Sequence, residues 1–510
     1  MFQIMSEASL LFLGFSRHSA NMLKQMSYEK WICLILAALL GLRLIILFVA
    51  PWGLHGDEAQ YWAWSQDLDF GYFSKPPMIA WVIASTTGVF GHAEWAVRLA
   101  APFLHCLTAV MIFLTGRKIL SAQIGFWAAL TYILMPAVWL SSYIISTDAV
   151  LLLFWSIGLH AWASLREKPS WGLAIQLGLA LGFGLLSKYA MAFFIPPLIF
   201  AALFDPATRK ALLGPKGIVV TALAIACLIP NLMWNAAHDF ATIAHTAENA
   251  NLQKDLFHPL ELLRFWVDQF GVLGPLIFPI LGLAILAMFR KRLASPALWL
   301  ALFTLTPFLV ISLEAFLSRA NANWAVTSYG AGVILVALWS SQTKTRLKWL
   351  KIGLSFQTVI TVSIAVIFLN TSLVDQLKLD NSVKRLRAWP ETAVQIEALV
   401  KDGDYDSVAT DNRLVFYGLN HYGIGATPLQ MWRLNNTPKH HADLTRPLED
   451  GAGSVLLISQ HKNFEAYFRE DFETLSPLTP IEIALGPRKV RTLYLYKATT
   501  YNRTQREDRN

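Results

Sequence analysis

Eleven apolar runs close to bilayer-spanning length recur before residue 371, and no other feature constrains the fold of this chain so tightly. A helix needs roughly 20 largely apolar residues to cross a bilayer. Inside lipid a helix also satisfies its own backbone hydrogen bonds. The runs are residues 31–51, 95–116, 123–143, 149–165, 171–187, 190–204, 217–234, 271–289, 297–313, 325–340 and 350–369. Only 15% of the 510 residues are charged, against about a quarter in a soluble domain, and the mean hydropathy is +0.44. After residue 371 charges become frequent and no membrane-length run remains. The expected fold is a polytopic α-helical membrane protein of about 11 transmembrane helices with a small C-terminal α/β extracytoplasmic domain. The membrane part is placed at 1–370, the soluble domain at 371–498, and a polar, disordered tail at 499–510.

A net charge of +8 does not point to nucleic acid here, because the basic residues sit in short loops between apolar runs. Seventeen Lys and Arg fall at alternate ends of successive runs: Arg17, Lys24 and Lys30, Arg117/Lys118, Arg166/Lys168, Arg209/Lys210/Lys216, Arg290/Lys291/Arg292 and Lys344/Arg346/Lys348/Lys351. The opposite short loops hold about six: Lys75, Arg98, Lys188, Lys254, Arg264 and Arg319. The positive-inside rule makes the first side cytoplasmic and places the C-terminus outside. The apolar stretch near Leu10 to Phe15 is too short for a signal-peptide core, so the first run reads as an uncleaved anchor. Cys33, Cys106 and Cys227 all lie in apolar runs and offer no disulfide framework.

Two outer segments are long, 52–94 and 235–270, and both mix aromatic with charged residues. They read as short helices on the outer membrane surface. In the C-terminal part, 381–401 reads as a helix interrupted at Trp389-Pro390. Short apolar runs at 407–409, 415–417, 454–459 and 492–496 follow, separated by turn signals such as Asp402-Gly403-Asp404 and Gly451-Ala452-Gly453.

Polar residues gather at the outer ends of the runs. They are Gly56-Asp57-Glu58, Lys75-Pro76-Pro77, Ser146-Thr147-Asp148, Ser187-Lys188-Tyr189, and Arg319 with Asn321 and Asn323. Each also has a plain structural reading. Asp57 and Glu58 can be a solvated loop start, Asp148 an N-cap partner of Ser146 or Thr147, and Lys188 and Arg319 interfacial snorkels. Arg43, inside the first run, must pair or snorkel. His55, His92, His238, His245 and His258 lack the spacing of a metal site. Together, a carboxylate beside lysines and an arginine at a membrane surface suits a lipid-linked phosphate. The cations hold the phosphate and stabilise its charge as it leaves, while the carboxylate takes a proton from an attacking hydroxyl. That set is sufficient for glycosyl transfer from a polyprenyl-phosphate sugar.

The strings Gly56-Asp57-Glu58-Ala59-Gln60-Tyr61-Trp62-Ala63-Trp64-Ser65 and Gly71-Tyr72-Phe73-Ser74-Lys75-Pro76-Pro77-Met78-Ile79-Ala80-Trp81 resemble the first outer loop of the protein O-mannosyltransferase and lipid A aminoarabinose transferase superfamily. The region around Val97-Arg98-Leu99, Ser146-Thr147-Asp148 and Leu186-Ser187-Lys188 is similar to that family too, and the resemblance covers roughly residues 35–340. It implies a GT-C fold, glycosyltransferase family 39-like enzyme: an inverting transferase with an outward cavity and a polyprenyl-phosphate sugar donor. The implied acceptor is an envelope glycan, lipid or protein. By position, Asp57 matches the catalytic acid, Asp148 a second acid and Lys75 a phosphate-binding lysine; Lys188 and Arg319 match later basic positions. Glu58 joins the catalytic candidates, and Tyr61, Tyr72 and Asn323 are candidates to line the cavity. Some aminoarabinose transferases carry a metal-binding acid just before the loop lysine. This chain has Ser74 there, so no metal ligand set is assigned and a divalent metal is not indicated. Thr410-Asp411-Asn412-Arg413, Tyr417, Asn435 to His441 and Leu444 to Leu448 resemble the tails of a bacterial subgroup, without an implied role. A transporter or flippase of a lipid-linked sugar is the alternative, carried by Pro196-Pro197 as a helix break. Such proteins place their sites near the midplane, often with inverted repeats, and neither feature is evident here. A scaffold protein leaves the acid and lysine clusters unexplained.

Overall fold

The computed structural model describes residues 26–250, 256–290 and 296–504. Arg17, Lys24, Lys254, Lys291, Arg292 and the end of the polar tail lie outside them. The chain forms two compact units. One comprises residues up to Phe48, Leu99–Met233 and Ala247–Ala365; the other comprises Val49–Arg98, Trp234–Thr246 and Val366–Asn510. The second unit thus joins the first outer loop to the C-terminal part, whereas the sequence reading divided the chain once, near residue 370.

In the first unit the apolar runs fold as helices. Among the described residues, six helices are long and apolar enough to cross a bilayer: Tyr28–Val49, Glu94–Ile119, Thr147–Glu167, Pro215–Ala237, Pro296–Leu317 and Lys344–Leu369. Two sharply bent pairs, 189–212 and 259–289, raise the number to 8. The expected count of about 11 came from apolar composition, and the remaining runs are short. Trp171–Ser187 has 17 residues and Ser328–Ser340 has 13. The run 123–143 divides into Ala122–Ile133 and Pro136–Ser141, with the proline opening the second helix. Pro196 and Pro197 likewise sit in the first turn of Ile195–Phe204, where a missing N–H costs nothing. The pair starts a helix instead of breaking one.

Small residues bring the helices of this unit together. A Cβ on Gly125 would lie 2.4 Å from the Phe113 carbonyl oxygen and 2.9 Å from the Arg117 nitrogen. Helices Ala100–Ile119 and Ala122–Ile133 therefore meet backbone to backbone, as small residues allow in a bilayer. Arg43 does not snorkel, and among the described residues no carboxylate pairs with it. It is fully buried, donates from Nη2 to the Ile133 carbonyl at 2.8 Å and lies 4.8 Å from the Trp139 ring centroid.

The second unit carries a six-stranded sheet: β1 (Ser407–Thr410), β2 (Leu429–Met431), β3 (Ser454–Ser459), β4 (Phe472–Pro477), β5 (Ile481–Gly486) and β6 (Lys489–Tyr501). The order is β2-β1-β3-β6-β4, with β5 also on β6. The pairs β1–β2 and β1–β3 are parallel, and β6 is antiparallel to β3, β4 and β5. The buried run Ser407–Thr410 reads as a central parallel strand should. The apolar run 415–417 belongs instead to helix Arg413–Tyr422, whose N-cap Asn412 accepts from the amides of Leu414 and Val415. The first part of the expected tail at 499–510 is ordered: β6 continues to Tyr501, and Arg503 donates to the Asn435 carbonyl at 2.7 Å. Trp389 opens helix Trp389–Asp402, as the Trp-Pro interruption implied.

Within this unit helix Gly56–Ser65 packs on helix Arg413–Tyr422. A Cβ on Gly56 would displace the Leu414 Cδ2 methyl, so glycine lets that leucine side chain lie directly against the helix. Tyr422 fastens the same seam. Its hydroxyl accepts from the Leu54 amide at 2.8 Å and donates to Glu94 at 3.1 Å.

Candidate active site

Asp57 stands in the first turn of helix Gly56–Ser65. His55 is the N-cap and accepts from the Asp57 amide, while Glu58 reaches back to the His55 amide at 2.8 Å, closing a capping box. Acidic side chains in a first turn also meet the positive end of the helix dipole. Asp57 is half-exposed, and its Oδ1 accepts from Arg413 Nη1 at 2.9 Å. The same Arg413 nitrogen donates to the Gln60 side chain. Burial alone would push the Asp57 carboxyl up. Arg413, His55 and Lys75 outweigh it and hold the group below the usual carboxylate range. Lys75 stands at a tight turn in which Tyr72 and Lys75 exchange backbone hydrogen bonds. His245 shares this field: burial, then Lys75 and Arg413, lower it to about 4. The second unit therefore presents one ionised carboxylate between the Arg413 and Lys75 side chains, with a neutral histidine nearby.

Glu58 takes a different role from the one expected. It is fully buried and receives a two-pronged ion pair from Arg98, at 2.9 and 2.7 Å. Arg98 also donates to the Trp52 and Gly53 carbonyls. With both oxygens bound and no solvent access, Glu58 ties the loop to Arg98. Tyr72, expected to line a cavity, is packed among its own loop's residues. It is 1% exposed, stacks on Trp64 at 4.6 Å and bonds through its hydroxyl to the Trp64 and Asp67 carbonyls. Tyr61 is buried beside the same Trp64. Ser74 accepts a long hydrogen bond from Gln60 at 3.4 Å. Among the described residues no three His, Cys, Asp or Glu side chains gather as a metal ligand set.

The first unit holds the other predicted set. Asp148 opens helix Thr147–Glu167 and is 7% exposed. Lys188, at the C-cap of Trp171–Ser187, donates to its Oδ1 at 2.7 Å, and Asn323 donates to its Oδ2 at 2.6 Å. Ser146 occupies the N-cap position but makes no side-chain cap bond. Asp148 is thus bound to Lys188 and Asn323, which the sequence offered as a phosphate-binding and a cavity residue, and its carboxylate is taken up by them. Arg319 is exposed and contributes no hydrogen bond to this set among the described residues.

The residue that sequence reasoning missed is Arg413. It stood in the Thr410-to-Arg413 string singled out without a role, 356 positions from Asp57. No local period or spacing connects the two.

Residues 74–234 match the family described as dolichyl-phosphate-mannose-protein mannosyltransferase. The chain is 39% identical over 362 residues to the lipid A galacturonosyltransferase RgtD of Rhizobium johnstonii, covering 70% of this chain and 75% of that protein. It is 27% identical over 280 residues to the undecaprenyl phosphate-alpha-4-amino-4-deoxy-L-arabinose arabinosyl transferase 2 of Proteus mirabilis, covering 49% of this chain and 47% of that one. The crystal structure of ArnT from Cupriavidus metallidurans bound to undecaprenyl phosphate superposes with a TM-score of 0.63 at 15% identity, over 91% of this chain and 97% of that chain. The chain belongs to the GT-C, family 39-like superfamily of membrane glycosyltransferases. It is a multi-pass inner-membrane protein and an enzyme of the transferase class.

Proposed function

We propose that this chain transfers a galacturonosyl unit from a polyprenyl-phosphate donor to lipid A at the outer face of the inner membrane. The sugar and acceptor follow the 39% identical relative, and the donor lipid follows the arabinosyl transferase relative. The Lys and Arg bias supports a cytoplasmic N-terminus and an outward C-terminal part. The observation that carries the reading is the ionised, half-exposed Asp57 with Arg413 at 2.9 Å and Lys75 in its field.

The chemistry needs no further acid. The acceptor hydroxyl attacks the anomeric carbon as Asp57 takes its proton. The bond from that carbon to the phosphate oxygen breaks, and the electron pair leaves on the phosphate. Lys75 and Arg413 are assigned to the phosphate, whose charge rises as the bond breaks. Attack opposite the leaving group inverts the anomeric centre. Glu58 and Arg98 hold the turn that aims Asp57. Asp148, Lys188 and Asn323 form a second polar set for donor or acceptor, and Arg319 is assigned to the same surface.

The test is mass spectrometry of lipid A from a deletion strain carrying either wild-type protein or Asp57→Asn. A uronosyl mass increment restored by wild type and absent with Asp57→Asn is expected. An unchanged lipid A in the deletion strain overturns the assignment of substrate.

A further inference from the structure

The C-terminal sheet builds a pocket of about 220 Å³, lined by none of the residues assigned to the transfer chemistry. Its walls come from the ends of all three parallel strands. Asp411 follows β1, Trp432 and Arg433 follow β2, and His461 lies just beyond β3. The order β2-β1-β3 puts β1 in the middle, so the chain leaves β1 for one side and returns on the other. In open α/β sheets ligands bind at that switch point, outside the carboxyl ends of the strands.

The lining is chemically specific. Arg433 is half-buried, and among the described residues no acceptor takes a hydrogen bond from its guanidinium. Lys439 adds a second cation to the wall. Asp411 Oδ1 is buried without a hydrogen-bond partner. Phe464 supplies an apolar face beside His461, with ring centroids 5.0 Å apart. Burial pushes the Asp411 carboxyl up to about 6; at neutrality it is chiefly an ionised acceptor for ring hydroxyls, and only towards pH 6 does a protonated fraction donate as well. A cation pair, a carboxyl for hydroxyls and an aromatic face are the parts that hold a charged sugar ring. The volume fits one ring and falls below the roughly 300 Å³ of drug-sized sites.

We propose that this pocket binds a single anionic pyranose, bearing a carboxylate or a phosphate, with Arg433 on the anion and Asp411 on ring hydroxyls. The site is separate from the Asp57 set but tied to it, because one strand-to-helix turn carries both Asp411 and Arg413. The proposal rests on the transferase reading only for the source of the sugar.

The test uses full-length protein in nanodiscs and three matched probes: glucuronate, glucose 1-phosphate and glucose. Binding is read by calorimetry or saturation-transfer NMR. At least one anionic probe should bind at a single site, at least tenfold tighter than glucose. Arg433→Gln and Asp411→Asn should each weaken it tenfold or more while unfolding at the wild-type temperature, and Lys75→Ala should leave it unchanged. A stronger response to glucuronate identifies a uronate ligand; a stronger response to glucose 1-phosphate identifies a phosphosugar. Equal binding of glucose, indifference to both pocket variants, or loss in Lys75→Ala overturns the proposal. Sugar transfer lost in Asp57→Asn with probe binding intact separates failure of this site from failure of the transferase reading.

Discussion

Asp57 is a carboxylate kept ionised by its neighbours, and that fixes the sign of its pH behaviour. Its folded-state value lies below the ordinary carboxylate range because Arg413, His55 and Lys75 outweigh burial. Its pairing is therefore fully present above that ordinary range and is lost as pH falls through the depressed value. Transfer that depends on the charged form should persist to unusually low pH. Arg413→Ala should move the acidic limb of the rate–pH profile upward and raise KM for the donor; an unmoved limb in that variant removes Arg413 from the site. The sequence made Asp57, Lys75 and Asp148 visible, because ionisable groups at the ends of apolar runs stand out. Residue pattern alone could not separate Asp57 from Glu58, and only the family resemblance ranked Asp57 first. Adjacent acids look alike until Arg98 is seen to take both oxygens of one of them, and Arg413 became visible only once the fold closed the gap to Asp57.

At the level of elements, the seam between helices Gly56–Ser65 and Arg413–Tyr422 does the aiming. It depends on Gly56, which admits Leu414, and on the buried Glu58–Arg98 pair. Arg98→Leu leaves Glu58 buried without its partner, and breaking such a pair costs about 3–5 kcal/mol. A loss of that size, seen as a lower unfolding temperature in detergent, is expected along with loss of transfer; Asp57→Asn should keep the wild-type temperature. Hydropathy placed helices at the apolar runs because lipid leaves the backbone few alternatives. Among the described residues six to eight helices reach spanning length; other runs are divided, as at Met135-Pro136, or short, as in the 13-residue Ser328–Ser340. The run 415–417 shows the converse limit. Three apolar residues fit a strand or a helix equally, and the Asn412 cap decides for helix.

For the whole molecule, composition and charge bias were enough to give a membrane protein with a C-terminal α/β part. They were not enough to show that the first outer loop belongs with that part, because such packing is written in long-range contacts such as Tyr422 to Leu54. The C-terminal part thereby acquires a role that its composition did not suggest: it supplies Arg413 to the acid of the first loop. The central claim is that Asp57 is the base of sugar transfer. It is tested most directly by single-turnover transfer from a polyprenyl-phosphate sugar by purified protein, with donor affinity measured alongside. Asp57→Asn should lower the transfer rate by about 10²–10⁴-fold while donor Kd stays within threefold. A rate within threefold of wild type would contradict the account.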